Sequence, residues 1–69
     1  MRQQNTKLTI ELLKQTGFSA EVIGDGVVRA SLKRPITTRE VDDYLESQGL
    51  EHFQYEVRRS GGSVLVVLS

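Results

Sequence analysis

Apolar residues recur at alternate positions in four stretches of the chain: Phe18, Ala20 and Val22; Val28, Ala30 and Leu32; Phe53, Tyr55 and Val57; Val64, Val66 and Leu68. A period of two is what a strand with one face in a core requires. The pattern predicts strands over 18–23, 27–33, 50–59 and 64–68. Gly24-Asp25-Gly26 joins the first two as a hairpin whose Asp-Gly pair supplies the positive φ values of a tight primed turn, and Ser60-Gly61-Gly62 joins the last two. Pro35 ends the second strand's ladder, having no N–H to donate.

Two further stretches predict helices. Asn5 or Thr6 caps a first helix running to about Thr16, with Leu8, Ile10, Leu12 and Leu13 on a broad apolar side. The second start is sharper. Thr37 at the N-cap and Glu40 three residues later form a capping box, flanked by Ile36 and Val41 as a hydrophobic staple. Val41, Tyr44 and Leu45 form the buried side of this helix, with Asp42, Asp43 and Glu46 facing outward.

Each helix ends on a similar phrase, Leu12 to Phe18 (LLKQTGF) and Tyr44 to Leu50 (YLESQGL). A glycine just past a helix adopts the left-handed conformation readily, and the residue after it folds back on the last turn. Gly17 thus lets Phe18 meet Leu13, and Gly49 lets Leu50 meet Leu45. The order is α-β-β-α-β-β, one domain built of two units over about 5–34 and 36–69. Duplication and convergence both account for the shared phrase.

The other parity of the strands is mixed: Glu21 and Ile23; Val27, Arg29, Ser31 and Lys33; His52, Gln54, Glu56 and Arg58; Leu65 and Val67. Only the last strand is apolar on both sides, which places it centrally. The expected fold is α+β, a two-layer sandwich with both helices on one face of a four-stranded mixed sheet. Its order is 1-2-4-3 with strands two and four parallel, a permuted ferredoxin-like arrangement.

Composition narrows the function. At 69 residues with no cysteine, the chain excludes thiol catalysis and thiolate metal sites, and a domain this small has marginal stability of its own. Nine basic residues balance nine acidic ones, so no net field draws it to nucleic acid or membranes. The longest apolar run is Val64 to Leu68, and the opening MRQQNTK has no apolar core. A cytoplasmic protein with no membrane partner is expected.

Candidate chemistry is sparse. His52 is the single imidazole, with no second soft ligand, and is expected on the open sheet face. Asp42, Asp43 and Glu46 are close enough on a helix to gather a cation but lack a calcium loop, so a solvated helix face is expected. Ser60 to Ser63 lacks the strand-loop-helix setting of a phosphate loop. No nucleophile, base and orienting group come together, so neither enzyme activity, a metal nor a cofactor is expected.

Charge order is more informative. Residues 29–39 hold Arg29, Lys33, Arg34 and Arg39 and no acid, whereas residues 40–51 hold five acids and no base. Arg29, Lys33 and Arg58 are expected on the open face, with Arg34 and Arg59 at its margins, as a possible nucleic-acid contact. That face offers no aromatic for base stacking, because Phe53 and Tyr55 take the helix parity. Ile23, Val27, Leu65 and Val67 share it instead and mark an interface for a protein partner or a second copy. A small non-enzymatic interaction module, acting through the open face or an edge strand, is the expected function. A nucleic-acid-binding accessory protein is the alternative.

Overall fold

A computed structural model describes residues 2–69; the side chains of residues 2–4 and of His52 lie outside the described part. The elements are α1 (Arg2–Gln15), β1 (Ser19–Gly24), β2 (Val27–Ser31), α2 (Thr38–Ser47), a single 3-10 turn (His52–Gln54), β3 (Tyr55–Ser60) and β4 (Ser63–Leu68). None of these helices is long and apolar enough to cross a membrane.

Local signals placed both helix ends. Gly17 and Gly49 have φ of 97° and 93°. Phe18 N–H donates to the Leu13 carbonyl and Gly17 N–H to that of Lys14, each at 3.1 Å; Leu50 N–H reaches Leu45 at 3.1 Å and Gly49 N–H reaches Glu46 at 3.0 Å. These paired bonds are the Schellman closure, made twice. Leu13, Phe18, Leu45 and Leu50 all enter the core. At the start of α2, Glu40 N–H donates to Thr37 Oγ1 at 3.2 Å and Thr37 N–H to Glu40 Oε1 at 3.3 Å, with Ile36 and Val41 buried beside them. The start of α1 differs from expectation. The helix runs through Asn5 and Thr6 without a cap there, because Arg2 to Gln4 and Lys7 are competent helix formers and nothing breaks the ladder.

The sheet order is β1-β2-β4-β3, as expected. Its directions correct the expectation of a mixed sheet, because β2 and β4 pair antiparallel, as do the other two neighbours. The reason is connectivity. The crossover through α2 links β2 to β3, which therefore run the same way, and the two-residue turn at Gly61-Gly62 sends β4 back between them. The crossover rule belongs to β2 and β3, not to the adjacent pair. This split β-α-β arrangement is consistent with the permuted ferredoxin-like expectation.

Val28, Ala30, Tyr55, Val64, Val66 and Leu68 bury one sheet face against Leu13 of α1 and Val41 and Leu45 of α2. Two tyrosines tie the elements together: Tyr44 Oη of α2 donates to the Leu12 carbonyl of α1 at 2.7 Å, joining the helices, and Tyr55 Oη of β3 donates to Asp42 Oδ1 of α2 at 2.8 Å, joining the layers. Leu8 is 44% exposed, so the apolar side of α1 is narrower than expected, and the buried place one turn before Leu13 belongs to Thr9.

The third strand is shorter than the alternation predicts. After Leu50 the chain turns, with Gln54 N–H donating to the Glu51 carbonyl at 2.9 Å, and only Tyr55 begins the strand. Phe53 consequently leaves the helix side and is 75% exposed. The first hairpin also differs. Among the described residues only glycines have positive φ, so Asp25 does not, and Gly26 alone does at 70°. The turn is therefore not doubly primed. A register shift between Val22 and Gly24 marks a bulge at Ile23, which adds twist to the hairpin.

Candidate functional site on the open sheet face

Cross-strand register fixes which side chains share the uncovered face, because directly opposed residues point to the same side. One row is Glu21, Arg29, Leu65 and Arg58 across β1-β2-β4-β3, and the next is Gly24, Val27, Val67 and Glu56. Ile23 is the extra residue of the bulge beside Gly24. Three expected interface residues, Val27, Leu65 and Val67, are thus contiguous and half-buried, with Ile23 at the β1 end and 46% exposed.

The charges of this face close on themselves. Arg29 Nη2 bonds Glu21 Oε1 across the β1-β2 pair. Arg58 donates to both Glu56 oxygens at 3.2 Å. The guanidiniums flank Leu65 from both neighbouring strands, so their stems cover part of the apolar surface while their heads remain in water. Hydrogen bonding to Glu56, and then its charge, hold the Arg58 pKa above its ordinary value.

The structure divides the basic set rather than gathering it. Lys33 lies beyond the end of β2, beside Gly17, Ser19 and Arg34. Arg34 sits at the start of α2, where its fork bonds Glu40 at 2.7 and 3.1 Å. Arg59 pairs with Val64, a core residue, and so takes the helix-side parity near Pro35 and Thr37. Only Arg29 and Arg58 of the five stand on the open face. Arg34 and Arg59 are expected only at the margins of the face; Lys33 is the residue expected on it that the structure removes, because β2 ends at Ser31.

Asp42, Asp43 and Glu46 bring ligand oxygens within 4.8 Å of one another, but Asp42 accepts the Tyr55 hydroxyl and Arg39 Nε lies 3.9 Å from Asp43. Burial, followed by the hydrogen bond and charge of Asp42, pushes the Tyr55 phenol well above its ordinary range. His52 begins the 3-10 turn rather than standing in a strand, and its side chain falls outside the described residues. Gly61 and Gly62 form the β3-β4 turn, with Ile36 N–H donating to the Gly62 carbonyl at 3.0 Å.

The β1 margin is not legible in the sequence. Val22 is 54% exposed although its parity faces the helices, because α1 leaves a groove along β1 lined by Thr6, Lys7, Ile10 and Val22. Comparison of the chain with protein-family models, with curated proteins and with solved structures gave no match in any of the three.

Proposed function

We propose that this protein is a small non-enzymatic interaction module of the cytoplasm, binding a protein partner or a second copy through the open sheet face or an edge strand. The observation supporting this reading is the contiguity of Val27, Leu65 and Val67 on a face that neither helix covers, continued by Ile23 at the edge. Apolar residues at the centre of a sheet lose most water when a second surface packs on them, and the flanking ion pairs supply a polar rim. A nucleic-acid role has less support. Arg29, Arg34 and Arg58 each already bond an acid, and Arg59 and Lys33 lie off the face.

The test compares wild type with Leu65→Lys in sedimentation over a concentration series and in binding to candidate partners. Leu65→Lys is expected to weaken association made through the face. A strict monomer at high concentration whose Leu65→Lys variant binds every partner normally would sink the reading. Oligonucleotide titration at low salt tests the alternative, which requires salt-dependent shifts at the arginines.

A further inference from the structure

The two helices are held on the sheet very differently. Helix α2 buries Val41 and Leu45 completely, starts at the Thr37 and Glu40 capping box braced by Arg34, and is tied to β3 by Tyr55. Helix α1 is secured near its end. There Leu13 is fully buried, the Leu12 carbonyl accepts the Tyr44 hydroxyl at 2.7 Å, and Phe18 N–H closes on the Leu13 carbonyl at 3.1 Å.

The part of α1 before Leu12 has little to hold it. Over residues 5–11 Thr9 alone is buried, Ile10 is half-buried, and Lys7, Leu8 and Glu11 are exposed. The one buried place is thus given to a hydroxyl, and Thr9 Oγ1 has no hydrogen-bond partner among the described residues. Such a group costs free energy while it is enclosed, and water satisfies it as soon as the site opens. No acidic residue stands in the first turn to offset the helix dipole. Beside this segment, a groove of about 290 Å³ already lies between Ile10 and Val22 of the β1 edge.

We infer that the part of α1 before Leu12 is a flap, which lifts from the sheet while the fold from Leu13 onward stays in place. Lifting it gives up one half-buried isoleucine and no fully buried apolar side chain of its own, whereas lifting α2 gives up two. Leu12 and Leu13 are the fixed end, held by Tyr44 and by the core. The opening lets water reach Thr9 and joins the groove at Val22 to the helix side of β2, where Val28 and Ala30 are buried in the closed state. The flap therefore guards a second apolar surface, on the side of the sheet opposite Val27, Leu65 and Val67. Its opening does not depend on what the open face binds.

With no native cysteine, a single introduced thiol reports the motion. Thr9→Cys, close in size to the residue it replaces, is expected to react with a thiol reagent at a rate that hardly changes with urea below the unfolding transition. Val66→Cys, equally buried but on the central strand β4, is expected to react only through global unfolding, roughly tenfold more slowly or less, and to speed up steeply with urea. In the wild-type chain the amides of Thr9 and Ile10 are expected to exchange by the same urea-insensitive opening, and Thr9→Val to slow that exchange by roughly fivefold. Equal labelling of the two cysteines with the same steep urea dependence overturns the flap. So does wild-type exchange at Thr9 and Ile10 that matches the amides of β4, a readout that stands even where a cysteine variant fails to fold.

Discussion

Tyr55 Oη donates to Asp42 Oδ1 at 2.8 Å and also reaches the Asp42 carbonyl at 3.3 Å, tying the first residue of β3 to the middle of α2. Tyr55 is itself buried in the core, so one side chain fills the space beneath α2 and fixes the helix over the sheet edge. Tyr55→Phe keeps the ring and removes the bond. Its expected effect at neutral pH is a loss of about 1 kcal/mol, measured by urea unfolding.

The same contact makes stability fall in alkali. The folded state holds the Tyr55 phenol above its ordinary pKa, so the unfolded chain loses its proton first as pH rises. The stabilisation linked to that proton is complete below about pH 10 and is lost as pH climbs from there toward the folded value. Wild type is therefore expected to weaken above pH 10 more steeply than Tyr55→Phe. Parallel unfolding curves for the two proteins across that range would contradict the assignment.

Gly17 and Gly49 should be needed for backbone conformation alone. A Cβ added at either meets nothing within 4 Å, yet φ is 97° and 93°. Gly17→Ala and Gly49→Ala are each expected to destabilise by about 1–2 kcal/mol. Gly62 provides the contrast. It has no positive φ, and its added Cβ would only touch Pro35 Cα at an ordinary 3.7 Å. Gly62→Ala is expected to change stability by less than about 1 kcal/mol in either direction.

Thr9 is fully buried, and its Oγ1 has no hydrogen-bond partner among the described residues. Replacing the hydroxyl by a methyl group removes the desolvation penalty without opening a cavity. Thr9→Val is expected to raise stability by about 1 kcal/mol, seen as a higher melting temperature. A lower melting temperature would mean that the hydroxyl is satisfied in solution.

The cap of α2 gives an acid-side counterpart. The Arg34 hydrogen bond is the chief cause holding the Glu40 carboxyl below its usual range, assisted by the Thr37 backbone. Stability from this group is present above the ordinary carboxylate pKa and is lost as pH falls through the folded value. Thr37→Ala is expected to cost about 1 kcal/mol at neutral pH. Glu40→Gln should flatten the acid limb of the stability profile; an unchanged limb would show that other carboxylates set it.

Features written in short stretches of sequence were the legible ones. The capping box at Thr37 and Glu40 and the two glycine stops each need only a few neighbouring residues, and each is present in the fold. The strand order was also legible, because β4 alone is apolar on both parities. The direction of β4 was misread because two different connections were merged: the α2 crossover governs β3, and the hairpin then dictates β4. The late start of β3 is hidden because Phe53 continues the alternation of Tyr55 and Val57 while lying in a 3-10 turn. That single shift exposes Phe53, and the early end of β2 at Ser31 takes Lys33 off the open face. At the candidate site, Val27, Leu65 and Val67 followed from parity, whereas the bulge at Ile23 and the exposed Val22 depend on how far α1 reaches across β1.

Contact through the open face or an edge strand is checked by amide chemical shifts of labelled wild-type protein over a concentration series to the millimolar range. The expected shifts cluster at Val27, Leu65 and Val67 and extend to Ile23 on β1. Shifts confined to the outer surfaces of the helices or to the exposed turn at Phe53 would contradict the account, and a series without any shift would remove the self-association it includes.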